Sequence, residues 1–197
     1  MIVKKQPMGP YQTNCYIVTI SEKDFIIDPG VGALDWIKQE VKNPVALLNT
    51  HGHFDHVWSN QKVKEALKIP IYVPKEDAFM LEKDLFGQGM PPSKADFLID
   101  GDEVLMLEGV KISYLHFPGH TPGNSAIMIE DGMFSGDFIF ENSIGRVDFP
   151  YSKPEDMKKS IKKFLTLKED KTIYPGHGNN TSIKVEQGRV GNWLNYI

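Results

Sequence analysis

The pattern of apolar and polar positions predicts strands and a helix in the first quarter of the chain. Residues 14–20 and 25–27 are β-branched and aromatic runs around a polar turn, which predicts a hairpin. Residues 33–42 predict a helix that ends at an Asn-Pro pair. Residues 45–48 form a short apolar run of the length expected for a buried strand.

The clearest loop of the chain lies near its middle. Before it, the spacing of apolar residues over 63–67 predicts a helix, and residues 71–73 predict a strand. The loop itself, residues 84–96, is rich in Gly and Pro. A loop of this length is either a mobile lid or an ordinary connection, and the sequence favours neither interpretation.

The second half of the chain predicts a half-buried strand, a hairpin, a helix and a last strand. Apolar and polar residues alternate over 110–114, and the Asp-Gly pair at 131–132 separates two apolar runs as a hairpin turn does. Ser152 and Glu155 predict a capping box at the start of the helix, and residues 172–174 predict the strand. The predicted apolar face of the helix consists of Met157, Ile161, Phe164 and Leu165. The C-terminal residues leave room for one more helix.

Hairpins mixed with strand–helix alternation predict sheets that are covered by helices. A chain of 197 residues with 41% apolar and 24% charged residues fits one domain spanning residues 1–197. No apolar run is long enough to cross a membrane, and the N-terminus lacks the apolar core of a signal peptide. We therefore expect no association with membranes.

Charge and cysteine content narrow the function classes further. The net charge of −4 and the scattered lysines argue against nucleic-acid binding, which usually needs a basic patch. The single cysteine, Cys15, lies in an apolar run and fits a buried strand residue better than a nucleophile. A lone cysteine cannot form an internal disulfide, which fits a reducing compartment and leads us to expect a cytoplasmic location.

The run His51-Gly52-His53-Phe54-Asp55-His56 carries the strongest chemical signal in the sequence. In an extended loop, residues two apart point to the same side, so His51 and His53 can bind one metal ion together. Asp55 and His56 stand where the next helix begins and can diverge toward a second metal ion. Histidines clustered by accident on the surface are the alternative, but chance rarely produces four such residues together in a chain with 6 His.

Three later segments add candidate ligands. His120 and His177 each follow a Pro-Gly pair at the end of a predicted strand, and Asp137 follows a strand of the predicted hairpin. Each alone would be a common loop residue. Together with the histidine run they provide the ligands that two adjacent cations need.

These segments resemble the metallo-β-lactamase superfamily, and in particular its glyoxalase II-like (hydroxyacylglutathione hydrolase-like) branch in a short form. The resemblance spans Asn14 to His177 and implies an α+β fold, a four-layer αββα sandwich with a two-metal site along one edge of the sheets. It implies that His51, His53 and His120 hold the first metal, that Asp55, His56 and His177 hold the second, and that Asp137 bridges them.

Two further residues have supporting roles by the same resemblance. Asp28, in the segment Ile-Asp-Pro-Gly, matches a position that supports the ligands from behind them. His116, four residues before His120, is interpreted as a structural or supporting histidine and not as a ligand.

The donor set bears on the metal and on the mechanism. Imidazole and carboxylate ligands without a thiolate suit Zn, and also tolerate Fe or Mn. Two cations would lower the pKa of a shared water, so that hydroxide attacks a polarised carbonyl, and Asp55 and Asp137 are the candidate catalytic carboxylates. An aspartate stands at the bridging position where some lactamases use cysteine, which argues against β-lactam hydrolysis.

The substrate is less well defined. Arg146 lies where glyoxalase II carries a glutathione-contacting lysine, and it keeps a cation there that can pair with a carboxylate. An internal ion pair between Arg146 and Asp148 is an equally good interpretation. Asp148 replaces a tyrosine, Asn124 differs from the usual serine or histidine, and the chain ends at Ile197 without the C-terminal helical domain of full-length glyoxalase II. We therefore expect a small-molecule thioester or ester as substrate, with glutathione specificity open.

Three rival functions remain. A mono-iron persulfide dioxygenase has a related fold and a similar histidine motif. A nuclease of the same superfamily would need an added nucleic-acid-binding domain, which neither the length nor the charge supports. A non-catalytic metal-binding module would have lost a ligand, whereas all seven positions are filled. The sequence predicts no oligomeric state.

Overall fold

Two six-stranded β-sheets form the centre of the molecule in the computed structural model, which describes residues 1–197. The first sheet contains, in spatial order, β1 (Ile2–Met8), β2 (Thr13–Ile20), β3 (Lys23–Ile27), β4 (Pro44–Leu48), β5 (Ile71–Pro74) and β6 (Phe97–Ile99). The second contains β7 (Glu103–Leu107), β8 (Val110–His116), β9 (Ser125–Ile129), β10 (Gly132–Gly136), β13 (Thr172–Pro175) and β14 (Thr181–Ser182). A short hairpin of β11 (Ile139–Phe140) and β12 (Ser143–Ile144) stands apart.

Helices cover the outer face of each sheet. The first sheet is covered by α1 (Ala33–Glu40), α2 (Phe54–Val57), α3 (Asn60–Leu67) and α4 (Ala78–Glu82). The second sheet is covered by α5 (Pro154–Phe164) and α6 (Ile183–Val190). Short 3₁₀ turns lie at Lys75–Asp77 and Gly191–Asn195. None of the helices combines the length and the apolar character needed to cross a membrane.

Side chains of the strands alternate between two apolar layers, as the pleat of a β-strand requires. In β2, Tyr16 and Val18 point into the layer between the two sheets, whereas Cys15 and Ile17 pack under the helices of the first sheet. A third layer lies between the second sheet and its helices. The arrangement is the predicted four-layer αββα sandwich, and Cys15 is buried in it as expected.

Most of the predicted elements are present. The hairpin at 14–20 and 25–27 is β2 and β3, and the loop at 84–96 contains neither helix nor strand. Strand β1 was not predicted, because its central residues Lys4 and Lys5 interrupt the apolar pattern. Charged residues of this kind are common on edge strands, where they discourage pairing between molecules.

Two predictions about α5 are wrong. Ser152 and Glu155 form no capping box, because the N-cap is Lys153 and the Ser152 hydroxyl donates instead to the His120 carbonyl at 2.6 Å. Leu165 is not part of the apolar face, because the helix ends one residue earlier and Leu165 is 39% exposed. In both cases a tertiary contact or a helix end overrides the local pattern.

The topology brings four strand ends to one edge of the sandwich. Strands β8 and β10 run in the same direction, because each is antiparallel to β9, and β13 is parallel to β10. The segments that follow these three strands carry His120, Asp137 and His177. The first sheet contributes the segment after β4. The two sheets meet at this edge, where the Asn14 N–H donates a hydrogen bond to the Gly176 carbonyl at 2.7 Å.

Candidate metal centre

His51, His53 and His120 form a buried cluster, hereafter the three-histidine group. Their ligand atoms lie within 4.8 Å of one another, and the Nε2 atoms of all three are buried without a hydrogen-bond partner. A buried polar atom without a partner loses the free energy of solvation and is therefore rare in folded proteins. Three such nitrogens converging on one point fit a cation that accepts their lone pairs.

Asp55, His56 and His177 form a second cluster beside it, hereafter the mixed group, also with ligand atoms within 4.8 Å of one another. The His56 and His177 Nε2 atoms are 3.4 Å apart, and they lie 3.6 Å and 3.4 Å from Asp55 Oδ2. Bonds of 2.0–2.1 Å in a tetrahedron place ligand atoms about 3.3–3.4 Å apart. The spacing of the mixed group therefore suits a small divalent cation.

Asp137 lies between the two groups. Its Oδ1 is 3.3 Å from His56 Nε2, and its Oδ2 is 3.5 Å from both His120 Nε2 and His177 Nε2. Gly176 makes this position possible, because a Cβ there would overlap Asp137 Oδ1. One carboxylate thus faces both groups, as a bridging ligand must.

Backbone carbonyls orient two of the imidazoles. His120 Nδ1 lies 2.8 Å from the carbonyl oxygen of Arg146, and His177 Nδ1 lies 3.1 Å from that of Tyr11. A carbonyl can only accept, so each Nδ1 carries a proton and each Nε2 keeps its lone pair when the ring is neutral. This fixes the tautomer that metal binding through Nε2 requires.

Asp28 organises two more histidines from beneath the site. Its Oδ2 lies 3.0 Å from His56 Nδ1 and accepts from the Thr50 hydroxyl at 2.6 Å. Since that hydroxyl donates to Asp28, its oxygen is free to accept from His51 Nδ1 at 3.0 Å. Asp28 adopts a left-handed backbone conformation, with φ of 49°, which is uncommon for a residue with a side chain. It contacts His56 directly and reaches His51 through Thr50.

The two groups have opposite protonation tendencies. Burial lowers the pKa of His51 well below its usual range and, together with the nearby His120, lowers the pKa of His53 to about 3. Burial acts the same way on His177, but the carboxylates of Asp137 and Asp55 together outweigh it and raise the pKa of His177 to about 9. Before a cation binds, the three-histidine group is therefore neutral, whereas the mixed group holds a protonated imidazole beside carboxylates.

The family model of the Metallo-beta-lactamase superfamily matches residues 8–177, which is most of the chain. The chain belongs to this superfamily. Most of its members are hydrolytic enzymes, and a site for two metal ions is expected in them. The clustered histidines and aspartates of this chain provide the residues for such a site.

Three similar proteins carry different names or metal contents. Hydroxyacylglutathione hydrolase GloC of Haemophilus influenzae is 36% identical over 198 residues, which is 92% of each chain. The crystal structure of the BLEG-1 B3 metallo-beta-lactamase is 33% identical, with a TM-score of 0.88 over 95% of this chain and 97% of that one. The structure of TTHA1623 in a di-iron-bound form is 32% identical, with a TM-score of 0.83 over 94% and 98%.

Arg146 and His116 take different places in this superfamily member. Arg146 lines the pocket beside the metal centre, but its guanidinium forms two hydrogen bonds with Asp148, at 2.9 and 2.8 Å, and lies over the Phe149 ring. The internal ion pair considered from the sequence is thus present. His116 lies 2.8 Å through Nε2 from the carbonyl of Pro122 and so braces the turn that carries His120.

Aromatic side chains that the sequence did not indicate form the walls of the pocket, which has a volume of about 580 Å³. The Phe86 ring lies 5.3 Å from the His53 ring and 5.6 Å from that of Phe149. Gln88 accepts a hydrogen bond from the Tyr11 hydroxyl at 3.1 Å. The 84–96 loop therefore supplies one wall of the pocket. The aromatic residues of the pocket are Tyr11, Phe54, Phe86, Phe140 and Phe149.

Proposed function

We propose that this protein is a metal-dependent hydrolase of small-molecule thioesters or related esters, acting with two divalent cations. The observation that carries the proposal is the convergence of three unpartnered Nε2 atoms beside a shared carboxylate, Asp137. His53, His120 and Asp137 of this cluster line one pocket. The three-histidine group would hold one cation, the mixed group would hold the second, and Asp137 would contact both. This assignment uses all seven predicted ligands.

Zinc is our first choice of metal, because neutral imidazoles and carboxylates without a thiolate suit it. The similar TTHA1623, which is described in a di-iron-bound form, supports iron as the alternative. The imidazole and carboxylate donors of this chain tolerate both iron and manganese. Bound divalent cations would supply Lewis acidity that polarises a carbonyl and lowers the pKa of water to near neutrality.

The protein's own residues would position the reacting groups. Asp55 and Asp137, the proposed catalytic carboxylates, both line the pocket. Burial raises the pKa of Asp55, but the charge of His56 and the hydrogen bonds with His177 and Thr13 together outweigh it and lower the value to about 2, so Asp55 stays ionised. The Thr13 hydroxyl donates to Asp55 Oδ2 at 2.6 Å and fixes its orientation. The aromatic walls would exclude bulk water and contact the apolar part of the substrate.

A thioester is the favoured substrate class, and the similarity to GloC of Haemophilus influenzae supports it. Arg146 would contact a substrate carboxylate at the pocket mouth by exchanging part of its pairing with Asp148. Both side chains of that pair are 64% exposed, so the exchange would need little desolvation. The cytoplasmic location and the absence of nucleic-acid or membrane partners stay predictions.

The hydrolysis of β-lactams is a second candidate. The aspartate at the bridging position argued against it, but a chain that is 33% identical is named a B3 metallo-beta-lactamase. The two activities differ in the bond that is cleaved, a thioester or an amide in a strained ring. The same metal centre could catalyse either reaction, so the residues of the pocket walls would determine which substrate binds.

The experiment is elemental analysis of the purified protein combined with rate measurements on three substrates. S-lactoylglutathione, a neutral acyl thioester and a chromogenic cephalosporin are compared before and after chelation. We expect two metal ions per chain and thioester turnover that chelation removes. Turnover confined to the cephalosporin would favour the second candidate, and one iron per chain with oxygen uptake would favour the persulfide dioxygenase.

A further inference from the structure

Asp77 is a buried carboxylate outside the proposed ligand set. It is 0% exposed and ends the 3₁₀ turn between β5 and α4. Aspartate at this position usually accepts a hydrogen bond from the first turn of the helix that follows. The Asp77 side chain makes no such bond to α4. Its carboxylate is directed toward other segments.

The carboxylate of Asp77 accepts three hydrogen bonds from the two segments that present the three-histidine group. The Gly52 N–H, between His51 and His53, donates to Oδ2 at 3.0 Å. The Thr121 hydroxyl donates to Oδ2 at 2.6 Å, and the Gly123 N–H donates to Oδ1 at 2.6 Å. Thr121 directly follows His120. One side chain therefore links the loop after β4 in the first sheet to the loop after β8 in the second.

The packing around Asp77 is specific to this arrangement. A Cβ added at Gly52 would lie 2.7 Å from the Asp77 carbonyl oxygen, and one added at Gly123 would lie 2.8 Å from Oδ1. A Cβ at either position would force neighbouring atoms to shift, so glycine allows both loops to approach Asp77 this closely. The approach brings the N–H groups of both loops within hydrogen-bond distance of one carboxylate.

The three donors around the carboxylate are neutral groups. Burial raises the pKa of Asp77 to about 6 even though these three hydrogen bonds oppose the shift. At neutral pH the fold therefore maintains an ionised buried group at a cost in free energy.

We propose that Asp77 is a positioning residue for the metal centre, which sets the separation of the His51–His53 loop from the His120 turn and thereby the affinity of the three-histidine group for its cation. The inference rests on the proposed function only in requiring that this group binds a metal ion. Residues that orient metal ligands typically change metal affinity by about 10- to 100-fold when they are replaced.

The main test is Asp77→Asn. Asparagine has the same shape, but its amide nitrogen would face at least one of the two backbone N–H donors, Gly52 or Gly123, and release that loop. Cobalt(II) is titrated into the metal-free protein, with visible absorbance as the readout and a competing chelator to fix the affinity. His53→Ala and His177→Ala identify which step belongs to each group. We expect the His53-dependent step to weaken by about 10- to 100-fold and the His177-dependent step to be unchanged.

Asp24→Asn is the matched control. Asp24 is 3% exposed and likewise accepts one threonine hydroxyl, from Thr19 at 2.6 Å, and two backbone N–H groups, from Lys42 and Asn43 at 2.7 and 2.8 Å. It belongs to β3 and does not line the pocket. The same chemical change there should leave both metal-binding steps unchanged.

Two variants of Thr121 test the inference if Asp77→Asn does not fold. Thr121→Val removes the donor to Asp77 and should weaken the His53-dependent step, whereas Thr121→Ser keeps the hydroxyl and should retain it. Wild-type affinity in Asp77→Asn, an equal loss in Asp24→Asn, or equal behaviour of the two Thr121 variants would overturn the inference. A wild-type protein without any His53-dependent step would overturn the proposed function, and this inference with it.

Discussion

The two groups of ligands in the metal centre differ in their charge and in their hydrogen-bond partners before a cation binds. The three-histidine group is made of neutral imidazoles whose Nε2 atoms have no partner. In the mixed group the imidazoles already have polar partners, because His56 and His177 lie beside the carboxylates of Asp55 and Asp137. A cation would bind the unpaired Nε2 lone pairs of the three-histidine group directly, whereas it would have to displace protons from the mixed group.

This difference implies that the metal affinities of the two groups respond differently to pH and to mutation. The three-histidine group is ready for a cation as soon as the chain folds. The mixed group pairs its imidazoles with carboxylates without one.

The largest effect is expected where the two halves share a residue. Asp137→Ala should lose both metal ions, because the carboxylate lies 3.3–3.5 Å from histidines of both groups. Hydrolysis should fall by at least about 10³-fold, since hydroxide near neutral pH depends on bound cations. Elemental analysis measures the loss of metal ions, and thioester turnover measures the loss of activity. His53→Ala should remove the cation of the three-histidine group together with activity. Full activity in a metal-free variant would refute the proposed mechanism.

The second effect is a difference in pH dependence. The pKa of His177 is raised to about 9 beside Asp137, so a cation entering the mixed group must displace a proton at any pH below that value. The affinity of the mixed group for a cation should therefore rise with pH, by at least roughly tenfold per pH unit, because the carboxylates of Asp137 and Asp55 also raise the pKa of His56. The three-histidine group should show no such rise between pH 6 and 8, because the pKa of His53 is only about 3. Chelator competition at pH 6, 7 and 8 measures both slopes, and equal slopes would contradict the comparison.

The same pKa shift has a consequence for the stability of the metal-free protein. The pKa of His177 is higher in the folded state than its ordinary value of 6.5. The stability that its protonated form contributes is therefore fully present below pH 6.5 and is lost as the pH rises through about 9. In metal-free protein, His177→Ala should lower the melting temperature at pH 6 and have a much smaller effect at pH 10.

A smaller effect is expected from the support of Asp55. Thr13→Val removes the hydroxyl that donates to Asp55 Oδ2 at 2.6 Å. The mixed group should lose about tenfold in metal affinity, while the three-histidine group should keep its own. Thr13→Ser is the control, because it retains the donor. The cobalt titration described above resolves the two steps.

The smallest effect is expected at the pocket mouth. Arg146→Ala should raise KM for S-lactoylglutathione by at most about fivefold, because exposed ion pairs contribute less than about 1 kcal/mol. The KM for a neutral thioester should not change. An equal rise for both substrates would indicate that Arg146 acts by supporting Phe149, over whose ring it lies, and not by binding a carboxylate.

The sequence predicted the parts of the site that are close together along the chain or that belong to a known pattern. The histidine run and the two Pro-Gly-His segments were found in this way, and the structure brings them to one edge of the sandwich. Asp77 was not found, because the polar segment Lys75-Glu76-Asp77 has the composition of an ordinary surface turn. Its partners Gly52 and Thr121 are 25 and 44 positions away, and only the folded topology places them together.

The aromatic walls were missed for the same reason. Phe86 and Phe149 lie in segments without periodicity, so their side chains carry no directional signal in the sequence. Ser152 shows the opposite error, since a good local capping pattern was overridden by the His120 carbonyl. Long-range contacts therefore decide which loop residues belong to the site.

The meeting of strand ends from both sheets at one edge has a further consequence for folding. His51, His53 and His56 follow β4 of the first sheet, whereas His120 and His177 follow strands of the second. Bound cations would then cross-link the two halves of the sandwich, and unfolding would release them. Each tenfold rise in free metal above the dissociation constant would add about 1.4 kcal/mol to the free energy of unfolding for each bound cation. The resistance of this protein to proteolysis would then follow the metal supply of its surroundings.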